Sequence, residues 1–122
     1  MGLFVISQSD NGTFKFSFTS RRGKTLLTSI SCKYKADCEL IIESIKNNIE
    51  GFVLTRKITP GKKHFFRLSH NGLVLANSRK YTTPLRLEKC MEEILQSASE
   101  AEILDFSENE VIFPEEEEAT TA

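Results

Sequence analysis

Two histidines, three cysteines and two similarly placed serines are the residues of this 122-residue sequence that could carry covalent or metal chemistry. Nucleophilic catalysis needs a nucleophile beside a base, and usually a third group that orients the base. His64 stands early in a β-type run, in step with Phe66 and Leu68, which places it near the inner rim of a sheet. His70 precedes Asn71-Gly72 and reads as an exposed turn residue. Ser29 and Ser78 recur in two similar segments, where a hydroxyl is expected to bond to nearby backbone. Cys32, Cys38 and Cys90 form no Cys-x-x-Cys motif, and three cannot all pair within one chain. Cys38 and Cys90 fall on apolar faces of expected helices, so buried free thiols are expected. No His cluster, paired-carboxylate spacing or Cys/His ligand set marks a metal site. Pro60-Gly61-Lys62-Lys63 lacks the glycines and the Ser or Thr of a phosphate loop, and is expected to be a type II or related hairpin turn with a basic tip. The sequence therefore predicts no catalytic residue, no cofactor and no enzyme.

Binding is the chemistry left to consider. Arg21, Arg22 and Lys24 gather at one expected hairpin tip, and Arg56, Lys57, Lys62 and Lys63 gather at another. Arg67, Arg79 and Lys80 could join them across a sheet. Strand alternation sets Phe65 opposite Phe66, hence on the outer face, beside Lys63 and Arg67. An exposed aromatic among bases has the composition of a single-strand stacking platform. It equally has that of a protein interface, with an apolar anchor rimmed by long polar chains. Phe65, Lys63, Arg67, Arg56 and Lys57 are the candidate interaction surface.

The elements that position these residues follow from an internal repeat. With Gly23 set against Gly72, Leu26 meets Leu75, Ser29 meets Ser78, Glu39 meets Glu88 and Ile45 meets Ile94. Upstream of the glycines one residue must be skipped, after which Phe16 and Phe18 match Phe66 and Leu68. A hairpin tip absorbs such a length change without altering the register of its strands. Each copy reads strand, turn, strand, turn, strand, helix. Leu3 to Ser7, Phe14 to Phe18 and Thr25 to Ile30 precede a helix from Ala36 that buries Cys38, Ile41, Ile42, Ile45 and Ile49. Phe52 to Ile58, His64 to Leu68 and Leu73 to Ser78 precede a helix opened by Thr83-Pro84 that buries Leu87, Met91, Ile94, Leu95 and Ala98. Ile103 to Phe106 is expected to add a short final strand.

The doubled pattern resembles the YegP-like family of small tandem-repeat domains. Its elements here are Phe16-Ser17-Phe18, Gly23, Leu26, Ser29 and Ile45, then Phe66-Arg67-Leu68, Asn71-Gly72, Leu75, Ser78, Tyr81 and Ile94. The resemblance spans roughly residues 1 to 106. It implies a two-layer unit with an antiparallel sheet and brings no activity, cofactor or catalytic residue to transfer. Arg22 stands where the family pattern has Asn before Gly, and Cys32 where it has an aromatic.

These readings converge on an α+β fold: a two-layer sandwich, its mainly antiparallel sheet built from two tandem β-β-β-α repeats, with two helices on one face. The expected domain is 1–106, with repeats 1–49 and 50–106 sharing a core, since about fifty residues alone would leave much of the sheet wet. Residues 107–122 hold six acids and no base, whereas 1–106 hold 16 bases and 11 acids, a net charge of +5. The expected electrostatic picture is a basic body with an acidic tail, the tail largely disordered around a docked Val111-Ile112-Phe113. No run approaches the roughly 20 apolar residues of a membrane span, and Met1 to Ser7 lacks the basic region of an export signal. A cytoplasmic protein with no membrane partner is expected. Its first functional reading is a non-enzymatic interaction or self-association module. The alternative is weak single-stranded nucleic-acid binding through a basic outer sheet face.

Overall fold

Phe14, Phe16 and Phe18 alternate with polar residues, and the period of two becomes the second strand of a sheet. The computed structural model describes residues 2–107; the expectations for the acidic tail beyond Ser107 lie outside them. Strands Leu3–Gln8 (β1), Phe14–Thr19 (β2) and Thr25–Ser29 (β3) precede helix Lys35–Asn48 (α1) and a 3-10 turn at Ile49–Gly51. Strands Val53–Ile58 (β4), His64–His70 (β5) and Leu73–Ser78 (β6) precede helix Pro84–Ser97 (α2), a 3-10 turn at Ala98–Glu100 and a last strand, Glu102–Asp105 (β7). The fold is α+β. The seven strands of the described residues form one mixed sheet in the order β4-β5-β6-β3-β2-β1-β7, antiparallel except for β7, which runs parallel to β1.

The turns follow their sequences closely. Asn71 and Gly72 both have positive φ, 52° and 81°, the two-residue turn that Asn-Gly favours because its twist matches the flanking strands. Three other hairpin loops share a different geometry. Ser9–Thr13, Ser20–Lys24 and Thr59–Lys63 are each closed by a pair of backbone bonds, with Gly12, Gly23 and Lys62 in the left-handed region. At Pro60-Gly61 the expected hairpin turn forms, in a geometry other than type II. Gly61 does not have positive φ; Lys62 takes the left-handed position instead, at φ 65°. The Ser20–Lys24 loop is longer than the two-residue Asn71-Gly72 turn.

Just beyond each of those tips the sheet carries a bulge. Pairing shifts between Phe18 and Thr19 against β3, and between Leu68 and Ser69 against β6. The extra residues are Leu26 and Leu75, so Leu26-Leu27 and Leu75-Ala76 each turn two successive apolar side chains inward. The carbonyls of the bulge residues are not wasted: Arg79 N–H donates to Leu26 O (3.1 Å) and Ile30 N–H to Leu75 O (3.0 Å). These bonds bracket the antiparallel β3–β6 pair, in which Thr28 faces Asn77.

One cluster of buried side chains joins sheet and helices. Phe4, Ile6, Phe16, Phe18, Leu27, Phe66 and Leu68 meet Cys38, Ile42 and Ile45 of α1 and Leu87, Cys90 and Ile94 of α2. Phe4 packs edge-on against Phe16 at 5.9 Å and tilted against Phe18 at 4.8 Å. α2 starts where its sequence predicts: Thr83 Oγ1 accepts from Arg86 N–H at 3.2 Å and Pro84 opens the first turn. Three core assignments change. Leu95 is 43% exposed, and Ile41 and Met91 are only half-buried.

Candidate anion-binding face

Each strand of an antiparallel sheet points alternate side chains away from the core, so the sheet's outer face can be read directly from the registers. One row runs Thr55, Arg67, Asn77, Thr28, Ser17, Val5 from β4 to β1. Phe65 lies one step along β5 from Arg67, opposite Lys57 of β4. Lys15 on β2 belongs to the same face, since its partner Ser7 and its neighbours Phe14 and Phe16 alternate about it.

Where β3 and β6 meet, this face is concave. The depression has a volume of about 590 Å³ and is lined by Lys15, Thr25, Thr28 and Ser29 on one side and Phe65, Arg67, Asn77, Ser78, Arg79 and Lys80 on the other. Four cations line it and no carboxylate does. The Arg67 guanidinium lies 5.9 Å and the Lys80 ammonium 6.0 Å from the centre of the Phe65 ring. Cations held against a ring face fix the long side chains without neutralising them, so their charge stays available to a ligand. Asn77 and Thr28 add neutral hydrogen-bonding groups to the floor.

Of the residues expected at an interaction surface, the structure brings Phe65 and Arg67 into the depression, and Lys57 adjoins Phe65 on the same face. Lys63 sits in the Thr59–Lys63 turn, its backbone N–H bonded to Thr59 Oγ1 at 3.0 Å. Arg56 is not on this face. It pairs with Phe66, points to the helix side and forms an ion pair with Glu88 of α2. Lys15 was not among the expected residues, although the alternation of Phe14, Phe16 and Phe18 places it on the outer face.

The residues with catalytic chemistry have structural partners. Ser29 Oγ accepts from Phe16 N–H at 2.9 Å and donates to Ile30 O at 2.8 Å. Ser78 Oγ accepts from Phe66 N–H at 2.9 Å and donates to Arg79 O at 2.8 Å. Both are buried, and each reaches a neighbouring strand as well as the local backbone that its position predicts. His64 is half-buried, and its backbone exchanges hydrogen bonds with Tyr81. His70 is no exposed turn residue: it ends β5 and stacks on Phe52 at 4.6 Å. The cysteines are free and buried. Burial first, and then the neighbouring Cys32 thiol, pushes Cys38 up to about 12. Burial also raises Cys90, and it raises the Tyr81 phenol. Thiols held protonated in this way are poor nucleophiles. Among the described residues no three His, Cys, Asp or Glu side chains gather where they could hold one metal ion. None of their helices is long and apolar enough to cross a membrane.

The fold, like the sequence pattern, is similar to that of the YegP-like proteins. No family model matches the chain. It is similar to the UPF0339 protein in ptx operon 5'region of Stutzerimonas stutzeri, 27% identical over 106 residues that cover 85% of this chain and 96% of the relative. A UPF0339 protein of Acinetobacter baylyi is 28% identical over 108 residues, covering 87% and 97%. Among solved structures, the solution structure of yegP from E. coli, a protein of unknown function, superposes with a TM-score of 0.78 at 24% identity, covering 87% of this chain and 93% of that one. The UPF0339 protein SO3888 from Shewanella oneidensis gives a TM-score of 0.79 at 22% identity, with 87% and 92% covered. These likenesses establish the fold.

Proposed function

We propose that this chain is a non-enzymatic cytoplasmic interaction module that holds an anionic partner on the outer face of its sheet. The observation that carries this reading is the depression at the β3–β6 junction, with four cations, a half-buried aromatic ring and no carboxylate. An anion entering it exchanges water for charge-assisted hydrogen bonds from Arg67 and Arg79, which are about twice as strong as neutral ones. Phe65 gives an aromatic or sugar-bearing ligand a surface to stack on. Three buried free thiols agree with a reducing compartment.

The finer architecture belongs to the same proposal. The fold is read as two tandem β-β-β-α units, 1–49 and 50–106, closing one core as a two-layer sandwich with both helices on one face. In support, the bulges at Leu26 and Leu75 and the serine bonds at Ser29 and Ser78 occur twice. So do the isolated bridges Phe14–Cys32 and His64–Tyr81. The pair Thr28–Asn77 then lies on an approximate two-fold axis, because the two residues are equivalent in the repeat. The depression straddles that axis, with Lys15 in one unit occupying the place of Phe65 in the other.

Titration of the full chain with a fluorescent oligothymidine of about 4 nucleotides, the small end of the site sizes such faces cover, tests the reading. Binding at low salt is expected, weakened roughly ten-fold by Phe65→Ala, since one stacked base contributes about 1–3 kcal/mol. The same titration with Glu115, Glu116, Glu117 and Glu118 changed to Gln removes competition from the acidic tail. Absence of binding in both forms overturns the proposal.

Self-association is the second reading, and β4 favours it. Among the described residues this strand is a sheet edge with no neighbour on its outer side, and Val53 and Ile58 on it are well exposed. Sedimentation velocity over a concentration series tests it; a strict monomer at high micromolar concentration removes this reading and leaves the anion face untouched.

A further inference from the structure

The basic depression does not end at the sheet. Arg79 and Lys80, which form one wall of it, also line a second cleft of about 470 Å³ between the β6–α2 link and α2. There they meet Lys24 from the β2–β3 tip and Arg86 and Lys89 from α2, with Tyr81 in the wall. Lys24 and Leu26 continue from this cleft into a third, of about 330 Å³, shared with Arg21 and Arg22. Three concavities that share residues in sequence make one track, from the outer sheet face over the link to the β2–β3 tip. Nine of the chain's 16 bases line it, against a single carboxylate, Glu93. The remaining seven bases lie elsewhere, and two of those, Lys35 and Arg56, are in ion pairs with Asp105 and Glu88.

A compact anion needs only the first depression, where four cations already converge. Cations strung along connected clefts suit a ligand whose charge repeats along its length. The aromatic ring at the start of the path, Phe65, suits one whose flat groups are unpaired and free to stack. A duplex offers its phosphates but keeps its bases stacked on each other. We infer that the partner is single-stranded nucleic acid, which enters over Phe65 and Arg67, crosses the Arg79-Lys80 link and leaves between Arg86, Lys89 and the Arg21-Arg22 tip. This inference rests on the anion-binding reading of the outer face and names the ligand class and its path.

The test uses fluorescence anisotropy of the full chain with oligothymidines of about 4 and about 16 nucleotides, the span of site sizes for such faces. The longer strand is expected to bind at least ten-fold more tightly. The double substitution Arg86→Ala and Lys89→Ala, on the exposed side of α2, is expected to erase that gain and leave the shorter strand's affinity unchanged. It should also lower the slope of log K against log salt for the longer strand by roughly 1.4, at about 0.7 for each lost phosphate contact. Phe65→Ala weakens both lengths. Equal affinity for both lengths, or a longer strand indifferent to the α2 substitutions, overturns the path while the outer-face site stands. Equal affinity for a duplex of the same length overturns the single-strand assignment. Failure of both lengths to bind, in the full chain and in the form with Glu115, Glu116, Glu117 and Glu118 changed to Gln, overturns this inference together with the reading beneath it.

Discussion

Ser29 and Ser78 show how a residue with a reactive group can be spent on architecture. Each hydroxyl lies at the end of a strand where the chain leaves the sheet for the link to a helix, and a buried backbone N–H on the neighbouring strand has no ladder partner there. Phe16 N–H and Phe66 N–H are those donors, and the two hydroxyls accept from them at the same distance of 2.9 Å. The cost of leaving such a buried donor unpaired is about 1–3 kcal/mol. Ser78→Ala is therefore expected to destabilise the protein by that amount in urea unfolding, and Ser29→Ala by a similar amount, whereas Thr28→Ala on the open face changes stability little. Equal, small effects at all three positions would show that water replaces the hydroxyl and that the bond is not structural. Neither serine is placed to attack a ligand, because both lone-pair acceptance and the hydroxyl proton are already committed to backbone.

At the scale of elements, hairpin tips decide register and hence which residues face outward. Gly12 and Gly23 fill the left-handed position of their loops, but Lys62 must adopt it with a side chain. A non-glycine residue there meets its own carbonyl, a cost that exceeds the entropic penalty of glycine. Lys62→Gly is expected to stabilise the fold by about 0.5–1 kcal/mol in thermal or urea unfolding, and a loss of stability would mean that the lysine makes a contact that offsets the strain. These tips also mark what was legible in the sequence. The strand boundaries, the Thr83-Pro84 helix start and the outward aim of Phe65 all follow from period and turn chemistry, which are local. The inward-looking side of Arg56 was equally open to alternation, since it pairs with Phe66, but the hairpin-tip grouping of bases drew it into the wrong set. The parallel pairing of β7 with β1 could not be read, because no local pattern names the partner of a returning strand. The joining of Arg79 and Lys80 to the Arg21-Arg22 tip is likewise a product of the central β3–β6 pairing, which brings distant segments together.

At the scale of the whole molecule, that β3–β6 pairing is the seam on which both the core and the candidate site depend. If the chain is two units, neither can complete itself. Residues up to 50 would leave the β3 edge bare, with Leu26 O deprived of Arg79 N–H and of its contact with the Cys90 thiol at 3.9 Å. α1 would lose the ion pair from Lys35 to Asp105 (2.9 Å) and the bond from Lys46 Nζ to Ala101 O, both made with the segment after α2. About fifty residues bury too little apolar surface to offset the entropy of ordering them. Two peptides, 1–50 and 51–122, are thus expected to lack cooperative thermal transitions when separate, by circular dichroism, and to regain the spectrum of the intact chain when mixed at equal concentration. The mixture should also regain oligothymidine binding, because Lys15 and Arg67 reach the depression from different peptides. A cooperative transition in either peptide alone, as a monomer, would show two separable cores, and the depression would then be a junction between independent domains and not the floor of one sheet.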